Sequence, residues 1–300
     1  MTLSSRRISQ ILALLVFLAA IAAVLVEDLA PEPGTDLLVY YSTITMVVAG
    51  FFAVSFGIVY LMLRLGTRDG ATYWATTEES KQAPRIAVLV AVIFCLQTLA
   101  DSVLAYLGFG TSLVAGITGV VAWTMIPAAF LHFGIVRWPT RISHASRRRL
   151  AVGSIIGLGV AATWSFTAYI LADTSLTIPK AGSLVILTSA LILAAAGEEV
   201  VFRALLLTCL ISLTKSRFHS VFIASVAFAA MHAPYEFSVP IIYGDWHMLL
   251  PIAQDYAGRF VGQVAAGLAF GVLWLRTGSI TIVTLSHAML NVGTMLAHGY

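Results

Sequence analysis

The chain has 300 residues, of which 59% are hydrophobic and only 10% are charged, and its mean hydropathy is +0.94. Soluble domains carry about 25% charged residues, so this composition excludes an ordinary soluble protein and indicates apolar helices in a membrane. The formal net charge of +3 is explained by membrane topology and does not indicate nucleic acid. We therefore expect the lipid bilayer as surroundings and no nucleic-acid partner.

The first 180 residues contain about five apolar segments, each long enough to cross a bilayer about 30 Å thick. We expect spans at residues 8–26, 37–65, 86–108, 112–136 and 150–172. The polar segments 66–85 and 137–149 are predicted to be cytoplasmic loops.

About four more spans are expected in residues 181–300, at 181–213, 219–232, 258–275 and 279–297. A longer loop with Pro240 and Pro251 is predicted between the second and third of these. The sequence therefore predicts an all-α, polytopic transmembrane helical bundle of about nine spans. Residues 1–180 would supply the N-terminal spans and residues 181–300 the C-terminal spans.

The basic residues test this arrangement. With a cytoplasmic N-terminus and nine spans, every Lys and Arg falls on the cytoplasmic side except Lys180, Arg259 and the intramembrane Arg203. This distribution follows the positive-inside rule. We therefore expect an integral membrane protein whose N-terminus is cytoplasmic.

The segment 181–213 carries two adjacent carboxylates, Glu198 and Glu199, and the guanidinium of Arg203. A charge at the bilayer centre costs roughly 2.5–3.5 kcal/mol even on insertion scales, so these groups should face the protein interior. Glu199 and Arg203 are four residues apart, and this spacing predicts a structural ion pair. Glu198 lies about 100° around the helix from Glu199, which leaves its carboxylate for chemistry.

Two other spans carry polar groups at a similar depth: His232 in one, and His287 with Asn291 in another. The rise along a helix is about 1.5 Å per residue. Measured from the cytoplasmic end of its span, Glu198 therefore lies at about 25 Å, His232 at about 20 Å and His287 at about 16 Å. His287 and Asn291 are four residues apart and share a helical face. These depths predict one polar cavity lined by Glu198, His232, His287 and Asn291.

Each of these groups also has a simpler interpretation. A histidine near a helix end is often interfacial, and an asparagine within a span often joins two helices. Taken together, the groups could also form a non-catalytic scaffold or immunity protein, or the proton relay of a transporter. No inverted repeat supports a transporter, and the shared depth favours a catalytic site.

Three motifs resemble those of the CPBP family, the group of prenyl-CAAX type II proteases and bacteriocin-processing or immunity membrane proteins. They are Glu198-Glu199-x-x-x-Arg203, Phe228-x-x-x-His232 and His287-x-x-x-Asn291, and the resemblance covers about residues 184–297. It implies an intramembrane endopeptidase, often named a metalloprotease, that acts on a membrane protein or peptide and has residues 181–300 as its catalytic core. It also implies a prokaryotic plasma membrane as the location.

Two mechanisms fit the same residues. In one, Glu198 is a general base for water that His232 orients, while His287 and Asn291 donate hydrogen bonds to the oxyanion. In the other, Glu198, His232 and His287 hold a divalent metal such as zinc, with one position open to water. The chemistry of the residues favours glutamate catalysis and the family's naming favours a metal, so both stay open.

Overall fold

The computed structural model describes residues 4–26, 80–108, 117–140, 145–171, 181–233 and 244–298, with scattered residues of 34–64 and 236–240. Over these residues every regular element is helical and no strand is present. The α-helices are α1 (Ser5–Val26), α2 (Ala83–Tyr106), α3 (Ile126–His132), α4 (Arg147–Leu171), α5 (Ala181–Glu199), α6 (Thr208–Thr214), α7 (Arg217–Ala230), α8 (Leu249–Thr277) and α9 (Ile280–His298).

The predicted all-helical membrane architecture is confirmed in its class. Three of the described helices are long and apolar enough to cross a membrane: Ala83–Leu104, Arg147–Thr167 and Asp255–Thr277. Shorter apolar helices are Ile117–His132, Arg217–Ala230 and Ile280–Gly293. The number of nine spans is not confirmed, and the expected second span, 37–65, lies largely outside the described residues.

Two predicted boundaries are wrong. The segment 249–257 is not a loop, because α8 already begins at Leu249. Pro251 lies in the first turn of α8, where the backbone N–H groups have no intrahelical partner and a proline removes no hydrogen bond. The predicted span 112–136 ends early, because α3 stops at His132 and Gly134 adopts a φ of 67° that favours glycine.

Helix α8 packs between α4 and α7, and glycines permit the close approach. A Cβ on Gly157 of α4 would lie 2.7 Å from Leu273 of α8, and a Cβ on Gly271 of α8 would lie 2.8 Å from Val221 of α7. Both pairs lie in a buried apolar cluster that includes Leu273 and Val221. The central helix is therefore held by backbone-to-side-chain contacts that only glycine permits.

The helix that carries the glutamates is not a regular α-helix throughout. Between α5 and α6 the backbone forms a π-helix over Val200–Leu207, and a second π-helix, Val121–Met125, precedes α3. The sequence predicted one uninterrupted α-helix over 181–213, which is wrong at this segment. π-Helical turns occur frequently at functional sites, and this one begins directly after Glu199.

Candidate active site

Glu198 and the two predicted histidines meet in the structure. The Glu198 Oε2 atom lies 3.8 Å from His232 Nε2 and 3.9 Å from His287 Nε2. The Oε2 atom is buried and has no hydrogen-bond partner among the described residues. One carboxylate oxygen therefore faces two imidazole nitrogens across gaps too wide for direct hydrogen bonds.

The site is reached from the side of His232. His232 lies two residues beyond the end of α7, in a turn where its N–H donates to the carbonyl of Ala229. Its side chain is 32% exposed, whereas that of Glu198 is 13% exposed and that of His287 is 4% exposed. The imidazole of His232 therefore stands between the buried carboxylate and the surroundings.

The other ring nitrogen of each histidine fixes its tautomer. His232 Nδ1 lies 2.9 Å from the carbonyl oxygen of Phe228, which can only accept a hydrogen bond, so Nδ1 carries a proton. His287 Nδ1 lies 2.8 Å from Glu199 Oε1, and this carboxylate also accepts. In the neutral form of either ring, the Nε2 atom that faces Glu198 is an acceptor with a free lone pair.

Glu199 is fully buried and has two partners. Its Oε2 atom lies 3.1 Å from Arg203 Nε, and its Oε1 atom accepts the hydrogen bond from His287. Sequence reasoning assigned the ion pair alone and missed the contact with His287. Because Glu199 and His287 are 88 residues apart on different helices, no spacing in the sequence could have indicated that contact.

Phe228 lies at the centre of these groups. Its ring centroid is 5.0 Å from that of His232 and 5.5 Å from that of His287, both edge-on. The Cζ atom of Arg203 lies 4.5 Å from the same ring, a cation–π contact in a water-poor interior. Phe270 packs against the other side of His287 at 5.1 Å. Phe228 belongs to a quoted motif but received no role from the sequence, and nothing in the sequence marked Phe270.

Asn291 lies one turn beyond His287 on α9 and is half-buried. Among the described side chains it makes no hydrogen bond with Glu198, His232 or His287. The structure therefore brings together the glutamates, Arg203 and both histidines, and leaves Asn291 beside them on the same helix as His287.

The backbone next to Glu198 rests directly on the second π-helix. Gly197 packs against the carbonyl of Trp123, so that a Cβ at position 197 would overlap that carbonyl. Trp123 is buried and fixed by a 3.0 Å hydrogen bond from its indole Nε1 to Gln97 Oε1. A residue of the N-terminal half thus sets the position of Glu198.

We expect Gly197→Ala to impair the site, because neither a backbone carbonyl nor the α5 backbone can move aside without displacing Glu198. The variant should unfold at a lower temperature than the wild type, and the chain that remains folded should be less active. Thermal unfolding followed by tryptophan fluorescence would measure the first effect. Gly262→Ala is the matched control, since nothing lies within 4 Å of its Cβ and alanine is the better helix former; equal losses in both variants would contradict this interpretation.

Both histidines have the tautomer that metal-bound histidines use, with Nδ1 hydrogen-bonded and the Nε2 lone pair directed into the site. The spacing of Glu198 and the two histidines is different. A tetrahedral zinc holds ligands about 2.0–2.1 Å away, which places two ligand atoms about 3.3 Å apart, closer than the 3.8 and 3.9 Å found here. Over the described part of the chain, no group of three or more His, Cys, Asp or Glu side chains is arranged to hold a metal. As placed, the Glu198 oxygen and each imidazole nitrogen are therefore spaced more widely than the ligands of one tetrahedral zinc.

The comparison with known families gives a match for the C-terminal part of the chain. Residues 180–293 match the family model described as type II CAAX prenyl endopeptidase Rce1-like. The resemblance to the CPBP family of intramembrane proteases is thereby confirmed, over the segment that contains α5 to most of α9. The family implies a protease, and together with the apolar helices it indicates a membrane protein. No curated protein and no solved structure matches the chain.

Proposed function

We propose that the chain is an intramembrane endopeptidase that hydrolyses a peptide bond in a membrane protein or peptide, with Glu198 as the base that activates water. The observation that carries this proposal is the unpartnered Oε2 atom of Glu198, which faces the Nε2 atoms of His232 and His287 at 3.8 and 3.9 Å. The family match over residues 180–293 supports the reaction class.

The spacing between Glu198 and His232 suits one bridging water in this proposal. Hydrogen bonds to oxygen are about 2.8 Å long, so a water at that distance from both atoms would bridge their separation of 3.8 Å. Both neighbours are acceptors, the carboxylate oxygen and the Nε2 lone pair, and a water has one proton for each. The water oxygen is then left with its lone pairs directed away from both groups, toward a substrate carbonyl.

In the proposed reaction Glu198 takes a proton from this water as the oxygen attacks the carbonyl carbon. The protonated Glu198 then gives the proton to the leaving amine as the C–N bond breaks, which returns the carboxylate to its starting state. His232 orients the water and, being the more exposed ring, also lies closest to an incoming peptide.

Stabilisation of the oxyanion falls to α9 in this proposal. His287 can donate from Nε2 only when doubly protonated, because its Nδ1 proton is held by Glu199. Asn291, one turn further on, would supply the second donor through its side-chain amide.

The test is a comparison of N-terminal peptides from membranes that carry either the wild-type chain or Glu198→Gln. We expect new N-termini that appear with the wild type only and lie in or near membrane segments. Identical sets of N-termini would contradict an endopeptidase and leave the scaffold interpretation. Proton-coupled transport of a solute into liposomes that contain the purified chain, without cleavage of any peptide, would instead favour a transporter.

A separate prediction concerns the metal. Because the separations of 3.8 and 3.9 Å suit a bridging water better than a zinc ion, we expect cleavage by the detergent-solubilised protein to survive prolonged dialysis against a strong chelator. Metal analysis should find well under one equivalent of zinc per chain. If chelation abolishes cleavage, added zinc restores it and the bound zinc follows the activity, then Glu198, His232 and His287 act as ligands and the glutamate mechanism is wrong.

A further inference from the structure

Four helices meet at one end of the bundle. The first turns of α1 and α7 are joined by a 2.9 Å hydrogen bond between Ser9 Oγ and His219 Nδ1. Helix α8 runs antiparallel to α7, since Gly271 faces Val221 and Gly267 faces Ser225. The end of α8 therefore lies beside the beginnings of α1 and α7.

Helix α4 begins at the same end. Gly153 packs against Thr277, the last residue of α8, and Gly157 packs one turn deeper against Leu273. Arg149, one turn before Gly153, is therefore placed beside the end of α8. Three helix beginnings and one helix end thus share this surface.

This end of the bundle carries a cluster of arginines from these helices, of which Arg217 is exposed, Arg276 is half-buried and Arg149 is buried. Arg149 lies in the first turn of α4, Arg217 is the first residue of α7 and Arg276 is in the last turn of α8. Arg64 belongs to the same group, because Arg64, Arg149 and Arg217 each act on Arg276 as a like charge. We call Arg64, Arg149, Arg217 and Arg276 the arginine cluster.

The helix dipoles add to this positive charge. A helix beginning carries a partial positive charge and prefers acidic side chains, yet the first turns of α1, α4 and α7 contain no acidic residue. All three first turns carry arginine instead. Like charges placed together on helix beginnings destabilise the fold, and a bound anion would relieve both the mutual repulsion and the dipole contacts.

The depth of the arginine cluster indicates where that anion comes from. The apolar segments Arg147–Thr167 and Asp255–Thr277 are long enough to span a membrane, and Arg149 and Arg276 lie within two residues of their ends. Those side chains are therefore level with lipid head groups. Each guanidinium has five N–H donors. An arginine that donates to a protein group therefore keeps further N–H groups for a phosphate, and two of these can bind the phosphate together.

We propose that the arginine cluster binds the phosphate of an anionic phospholipid from the adjoining membrane leaflet. The ligand chemistry is a phosphodiester with a net negative charge, held by guanidinium groups of α4, α7 and α8. This site is remote from Glu198 and does not depend on the proteolytic activity.

The experiment titrates a short-chain phosphatidylglycerol into the full chain in a neutral detergent and measures its affinity by thermophoresis. Arg217→Gln should weaken binding about fivefold and Arg149→Gln/Arg276→Gln about 30-fold, at the typical contribution of each basic residue near an anionic membrane surface. Arg217 is exposed at a helix beginning, so its variant should unfold at a temperature no lower than that of the wild type, and it remains informative if the double variant fails to fold.

Arg259→Gln is the matched control, because Arg259 lies on α8 about 25 Å from Arg276 and pairs with Glu236 and Asp255. It should bind phosphatidylglycerol like the wild type. Equal affinities for all variants, or equal binding of phosphatidylcholine, would overturn the proposal. Inorganic phosphate that binds as tightly as the lipid would overturn the assignment to a lipid.

Discussion

Glu198→Gln is expected to abolish peptide cleavage while the chain accumulates and unfolds like the wild type. The substitution keeps the size of the side chain and removes only its ability to take a proton. A general base contributes about 10²–10⁴-fold to a rate, and the proposed site contains no second carboxylate that could replace it, since Glu199 is held by Arg203 and His287. Cleavage of a peptide identified by N-terminal proteomics, followed over time in liposomes, is the measurement.

Controls for this result come from the same position. Because the Oε2 atom of Glu198 has no hydrogen-bond partner among the described residues, the neutral side chain should cost little stability, and thermal unfolding should verify this. Glu198→Asp keeps the carboxylate but withdraws it by one methylene, so some cleavage should remain. Full activity in Glu198→Gln would show that another group activates the water.

Glu199→Ala is expected to damage folding, in contrast to changes at Glu198. The substitution leaves Arg203, which is 1% exposed, as a buried charge without its carboxylate partner, and breaking such a pair costs about 3–5 kcal/mol. It also removes the acceptor that fixes the Nδ1 proton of His287. Lower yield in the membrane and a lower unfolding temperature should both be seen.

The double variant Glu199→Ala/Arg203→Met separates the two functions of Glu199. Removing both charges should restore much of the stability, because an apolar pair often replaces a buried ion pair without loss. Cleavage should stay low, since His287 still lacks its carboxylate. A stable but active double variant would contradict the orienting role. Normal folding of Glu199→Ala, together with a Glu198→Gln variant that fails to accumulate, would show that the roles of the two glutamates are reversed.

The parts of the site that the sequence could predict are those set by spacing within one helix and by the cost of charge in a membrane. The separation of Glu199 and Arg203 by four residues indicates contact whatever the neighbouring helices do. The rise per residue likewise placed Glu198, His232 and His287 at a similar depth. This works because transmembrane helices run roughly along the membrane normal, so that the position of a residue in its span gives its depth.

The parts that it could not predict depend on which helix faces lie against each other. Two of these contacts join helices that are not consecutive in the sequence. They are the hydrogen bond from His287 to Glu199 and the contact between Gly197 and Trp123. The sequence pattern does not indicate the π-helix over Val200–Leu207. This segment is apolar at every position except Arg203, so it has no polar face whose spacing could show a change of helix type. The early start of α8 escaped prediction because Pro251 was interpreted as a helix breaker, although the first turn tolerates it.

The contact between Gly197 and the Trp123 carbonyl limits how this protein can recombine with others. The family match begins at residue 180, whereas the carbonyl that fits against Gly197 belongs to a segment well before it. A chimera that joined residues 180–300 to the first spans of another protein would keep both histidines and both glutamates. It would nevertheless lose the backbone contact that supports α5, unless the new spans place a backbone carbonyl against Gly197 in the same way. The two halves of the chain are therefore constrained to change together at this crossing, even though only the second carries the motifs.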